Sequence, residues 1–166
     1  MVMQFNVFSK LKKINEKEIV NITTEDKNII KSFVLSEKYP IFSYGISTTE
    51  PYRCLGKRMK FETPSEIEFN QFKDHLSYMT GFPTQKSLTE HPGPVFFQEF
   101  IKFDDNQGVI GTVICRKLYN DFRDNYDNAE TYFTRLEESE QKFWKHYQNW
   151  CKALFVARQG GAISIN

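Results

Sequence analysis

Residues 99–122, EFIKFDDNQGVIGTVICRKLYNDF, decide how the chain is read. A greasy segment runs into an acidic, glycine-bearing loop, and a second amphipathic segment follows. The loop is a cation site, an active-site loop or a turn. Calcium takes about six to eight oxygens, and an EF-hand supplies them at fixed offsets around its glycine. With Gly108 in that role, the first ligand position falls on Phe103 and the last on Ile114, and neither is a ligand. Asp105 and Gln107 alone cannot hold the ion tightly. A turn fits better: Asp and Asn favour turns, Gly108 supplies a positive φ, and Val109 and Ile110 return to the core. Thr112 then caps a helix carrying Cys115, Tyr119, Phe122 and Tyr126 at helical spacing.

Upstream, TPSEIEFNQFKDHLSYMTG (63–81) predicts a helix. Thr63 is read as its cap, Pro64 as the first helical residue and Glu66 as completing a capping box. Phe69, Phe72, Leu76 and Met79 share a face, and Gly81 is a left-handed terminator. HPGP breaks the chain, and VFFQEFIKF reads as a short helix or strand. Downstream, one long helix is expected from Ala129 to Gln159, bent near Glu138 and Ser139. Its buried stripe would be Phe143, Tyr147, Cys151, Leu154 and Phe155. Gly160 and Gly161 end it, and AISI could add an edge strand.

The first sixty-two residues read as mixed. MQFNVF alternates as a strand does. TTEDKNIIKSFVLSEKY (23–39) predicts a helix capped by Thr23 or Thr24, with Ile29, Ile30, Phe33 and Val34 on one face and Pro40 as its stop. IFSYGIS and YRCLGKRMKFE are expected as strands. The fold class is therefore α+β, mainly helical: one domain over 1–166, with a small strand/helix layer at 1–62 and a helical part at 63–166.

A chain of 166 residues buries roughly 70% of its unfolded surface and needs no metal or disulfide to fold. Its 16 Phe, 8 Tyr and 2 Trp exceed what a bare core of this size requires, which points some rings toward a partner. Cys54, Cys115 and Cys151 are odd in number and form no CxxC, so a zinc ribbon or disulfide framework is not expected. MVMQFNVFSKLKK has no apolar run before its lysines, and GVIGTVIC is too short to span a bilayer. A soluble, cytoplasmic protein is expected.

Catalytic signatures are sparse. Cys115, in the first turn of its helix beside Arg116 and Lys117, could be an activated nucleophile, but it also lies on an apolar stripe. His75, His91 and His146 are far apart and form no HExxH, so a histidine/carboxylate site would have to assemble in space. LGKR (55–58) lacks the upstream glycine of a P-loop. Arg53, Lys57, Arg58 and Lys60 could touch phosphates or could protect a strand edge. No cofactor and no metal are predicted.

The acidic stretch carries most weight. Residues 121–140 hold seven acids against Arg123 and Arg135, an imbalance that suits a basic partner. Asp121, Asp124, Asp127 and Glu130 recur every three residues, so they spiral around a helix. Arg123 can pair with Asp127 and Glu138 with Lys142. Tyr126 and Tyr132 add contact area between the carboxylates.

The block from Gly108 to Phe122, with Ile110 two residues after the glycine, Cys115 near the helix start and Asp121-Phe122 at its end, resembles a scattered set of uncharacterised bacterial and phage-borne proteins. In them, too, an acidic turn precedes a helix and a glycine precedes a short apolar tail, here GGAISI. The likeness covers about the last seventy residues and supplies no catalytic residues. Phe103 and Gln107 stand where those proteins carry polar or acidic residues. In general character the chain also resembles immunity proteins of bacterial toxin systems, including contact-dependent growth inhibition. That resemblance implies a non-enzymatic toxin inhibitor whose partner is a cognate toxin, here a basic nuclease domain. Asp104, Asp105, Asp121, Asp124, Tyr126, Asp127, Glu130 and Tyr132 are the expected contact residues. The alternatives are a phage-encoded inhibitor of host defence, a small enzyme using Cys115 or an assembled histidine/carboxylate site, and a nucleic-acid adaptor.

Overall fold

A computed structural model describes residues 2–19, 26–36, 38–103 and 107–165. Strand β1 (Met3–Phe8) has the alternation its sequence predicts: Met3, Phe5 and Val7 are buried, while Gln4 and Asn6 are half-buried. It lies between two antiparallel partners, β5 (Arg58–Thr63) and β7 (Ala162–Ile165), so that Phe5 faces Phe61 on one side and Ile165 on the other. Strand β6 (Gly108–Ile110) closes the sheet, giving the order β5-β1-β7-β6. AISI is thus an interior strand, not an edge. Gly161 permits this: a Cβ there would sit 1.8 Å from the Phe8 carbonyl oxygen, so β7 can approach β1 only from a glycine.

A second antiparallel sheet of β2 (Leu11–Lys13), β3 (Ile29–Ile30) and β4 (Tyr52–Cys54) has the order β2-β4-β3. It packs beneath the first. Phe8, Val109 and Ala162 point down from the large sheet onto Phe33, Tyr52 and Cys54. The opposite face of the large sheet, through Phe5, Val7, Ile110 and Ile163, meets the helices.

The helix expected over 23–39 is not formed in its described part. Ile29 and Ile30 pair with Arg53 and Tyr52, and residues 31–36 are extended or irregular. β-branched neighbours fit a pleat better than a helix. Only Phe33 of the supposed apolar face is buried, and Val34 is exposed. The proposed caps Thr23 and Thr24 lie outside the described residues. Pro40 opens a 3-10 turn (Pro40–Ser43) rather than ending a helix, and that turn replaces the strand expected at IFSYGIS. YRCLGKRMKFE divides at Gly56 into β4 and β5. A short helix α1 (Glu16–Ile19) lies between β2 and β3.

Helix α2 (Glu66–Met79) begins two residues later than expected. Ser65, not Thr63, is the cap, its hydroxyl accepting the Glu68 N–H at 3.1 Å. Thr63 is instead the buried last residue of β5. Phe69, Phe72, Leu76 and Met79 are buried as read, and Gly81 takes φ +88°. Two short helices follow, α3 (Gln85–Thr89) and α4 (Gln98–Lys102). Lys73, fully buried on α2, donates to the Phe103 carbonyl at 2.5 Å and fixes the end of α4.

Helix α5 (Thr112–Asp124) has Gly111 at its cap position, without a side-chain cap bond. The Thr112 hydroxyl donates to the Gly161 carbonyl at 2.6 Å instead, tying α5 to the start of β7. The long terminal helix is two helices, α6 (Tyr126–Phe133) and α7 (Lys142–Ala157), separated by a 3-10 turn at Glu138–Glu140. The buried row of α7 is Phe143, Tyr147, Trp150 and Leu154. Cys151 is half-buried and Phe155 is exposed, because each lies one residue, about 100°, around the helix from that row. Trp150 is the centre of the core. The rings of Phe5, Phe61 and Phe100 meet it edge-on at 4.9, 5.1 and 4.6 Å.

Candidate functional site

The four spiralling acids divide. Asp121 turns inward and is 6% exposed. Its Oδ2 accepts the Phe97 N–H at 2.9 Å and the Lys117 ammonium at 2.5 Å, and Lys117 reaches on to Glu99 at 2.5 Å. Phe97 has φ +63°, so Asp121 holds a left-handed turn that a phenylalanine adopts only at a cost. Burial pushes the Asp121 carboxyl up, and Lys117 partly offsets it. Asp121 is therefore a pin inside the fold and leaves the contact set.

Asp124, Asp127 and Glu130 are exposed. Arg123 pairs with its neighbour Asp124 at 2.8 Å and not with Asp127. Asp127 and Glu130 make no ion pair among the described residues, and neither do Glu137 and Glu138 in the turn that follows. Lys142 bypasses Glu138 and pairs with Glu68 at 3.0 Å. Tyr126 is 37% exposed and rests on Trp144 at 5.2 Å, an anchored ring with an open edge. Tyr132 is half-buried, and its hydroxyl lies 2.9 Å from His75 Nδ1. Asp104 and Asp105 lie outside the described residues. Before them Phe103 is buried, and after them Gly108 takes φ +148° and Val109 and Ile110 drop into the core.

Beside Tyr126 a groove of about 510 Å³ opens between α5 and α7, against β5. Met59, Phe122, Cys151 and Val156 line it along with the rings of Tyr119, Tyr126 and Phe155. Lys57, Arg123 and Lys152 are its charged lining residues. Burial pushes the Cys151 thiol up to about 12, so this side chain is a packed thiol and not a thiolate. This groove escaped the sequence reading. Its walls come from segments up to about a hundred residues apart, and placing Phe155 on the buried stripe hid the main signal.

A second opening, of about 480 Å³, lies between α2 and α7 and has the opposite chemistry. His146 Nε2 is 2.7 Å from Glu68 Oε1, while Lys142 holds the other oxygen. Burial alone would raise the Glu68 carboxyl, but the hydrogen bonds from His146 and Lys142 outweigh it and bring it below the usual range. His75 faces the same cleft, 3.9 Å from Glu140, and burial holds its pKa below the ordinary value. The fold thus does bring two of the three histidines to one place with carboxylates, whereas His91 is exposed and accepts the Gly93 N–H. Among the described residues no group of three or more His, Cys, Asp or Glu side chains could hold a metal ion.

Cys115 is fully buried, its thiol donating to the Ile110 carbonyl, and burial raises its pKa far above the ordinary range. Such a thiol is inert. The basic cluster disperses: Arg53 pairs with Asp26, Lys60 with Glu62, and Arg58 covers the Phe8 ring, which leaves Lys57 at the groove. Among the described residues no helix is long and apolar enough to cross a membrane. No family model, curated protein or solved structure matches this chain.

Proposed function

We propose that this is a non-enzymatic binding protein of the immunity type. It works in the cytoplasm and neutralises a cognate toxin, a basic nuclease domain, by covering its active site or substrate groove. In this reading the helices of 63–166 form the working part, and the mixed layer of 1–62 braces them. The observation that carries it is the run of exposed acids on α6 and the following turn. Asp127, Glu130, Glu137 and Glu138 make no ion pair among the described residues, and Asp127 and Glu130 follow the anchored ring of Tyr126 on α6. Carboxylates placed this way steer a cationic partner into register, and a rigid aromatic supplies the desolvated contact. Inhibition assays against candidate toxin nucleases test this. Wild type should inhibit its cognate enzyme stoichiometrically, and Asp127→Lys with Glu130→Lys should slow association by about tenfold or more at low salt. Failure to inhibit or to form a complex with any nuclease encoded beside it contradicts the proposal.

A further inference from the structure

The groove between α5 and α7 differs in sign from the acidic face beside it. Among the described residues Lys57, Arg123 and Lys152 line it and no carboxylate does, in a chain whose cations and acids number 22 and 21. Lys57 and Lys152 are exposed and make no ion pair among the described residues. Arg123 has Asp124, an exposed partner it can exchange. Phe155, 47% exposed, packs beside Tyr119 at 6.0 Å, and the Arg158 guanidinium lies 4.6 Å from its ring. The rest of the lining is Met59, Phe122, Tyr126, Cys151 and Val156, with Gln148 as its one neutral amide, so a ligand gains by apolar burial inside and by carboxylates at the margin.

We infer that this groove receives an amphipathic helix of a partner protein, its apolar face flanked by carboxylates. The volume of about 510 Å³ falls in the range of small recognition sites, about 300–1,000 Å³, and suits the side-chain anchors of one helix face. The cations enter from three separate elements: the β4–β5 turn, the last turn of α5 and the middle of α7. That distribution matches acids spread along a peptide better than the single headgroup of a fatty acid. It asks for a partner surface of opposite charge to the one met by α6, so it stands whether or not the acidic face binds a basic nuclease.

The test uses the full chain and three probes. The first is a helical peptide about four turns long, with leucines at i, i+3, i+4 and i+7 and glutamates on both flanks. The second is the same peptide with lysine flanks, and the third is dodecanoate. Amide and methyl NMR shifts locate binding, and calorimetry measures it. The glutamate peptide should bind with shifts centred on Met59, Phe155 and Val156, at least about tenfold tighter than the lysine peptide, and should weaken as salt rises. Lys57→Glu with Lys152→Glu should reverse that preference. Both lysines are exposed, so the variant should keep the wild-type circular dichroism and melting. Equal binding of the two peptides, shifts elsewhere, no binding of the glutamate peptide, or binding of dodecanoate alone would each overturn the inference.

Discussion

Helix α7 has an opening on each side, of about 510 and about 480 Å³, and the two are lined in opposite ways. Toward α2, the charged groups answer one another: His146 Nε2 and Lys142 hold Glu68, and Tyr132 meets His75, while His146 Nδ1 is buried without a hydrogen-bond partner among the described residues. Toward α5, Phe155 and Tyr126 are open, and Lys57 and Lys152 have no counter-charge among the described residues. Opening size therefore says little about use. A cleft whose charges are mutually satisfied stabilises the fold, while a groove that leaves ring faces and ammonium groups uncompensated has binding capacity in reserve.

The largest effects should come from breaking the satisfied groups. Asp121→Ala leaves the Phe97 N–H without its buried acceptor and Lys117 with Glu99 alone, and should cost about 2 kcal/mol by denaturant unfolding. Glu68→Ala strands His146 in the same way and should cost about 2 kcal/mol. Lys152→Glu at the groove should change stability by no more than about 0.5 kcal/mol. A groove variant as destabilising as the cleft variant would erase the distinction.

A smaller effect sharpens it. Burial holds the His75 pKa below the ordinary 6.5, so the native state keeps the ring neutral while the unfolded chain takes up a proton near that pH. Its contribution to stability is present above pH 6.5 and is lost as pH falls below it toward the native value. The denaturation midpoint should therefore decline on mild acidification. His75→Gln, which keeps a hydrogen-bonding group for Tyr132 but does not titrate, should flatten that decline. An unchanged slope would place the titration elsewhere, with Glu140, Asp74 and the His146–Glu68 pair as the remaining charged neighbours.

What could be read in advance was local. The alternation of β1, the buried face of α2 and the turn-forming Gly108 each follow from a few consecutive residues. What escaped depended on partners far along the chain. Ile29 and Ile30 were readable as a helix face until β4 offered them a sheet edge. AISI was readable as an edge strand, but its place between β1 and β6 is set by the close approach at Gly161. Of the candidate contact residues, Asp124, Asp127, Glu130 and Tyr126 are on the surface, whereas Asp121 is not: on α5 it lies three residues, about 60°, around from Asp124, and α6 is a separate helix from Tyr126 on. Phase was the weak link again in α7, where Phe155 sits one residue from the buried row and so belongs to the groove.

Hydrogen exchange of the chain, alone and bound to the protein that co-purifies from its native host, separates a working α6 and groove from a working polar cleft. Added protection is expected over α6, the turn after it and the walls of the α5–α7 groove, with the amides around Glu68, His75 and His146 unchanged. Protection centred on that polar cleft, with α6 and the groove unaltered, would contradict it.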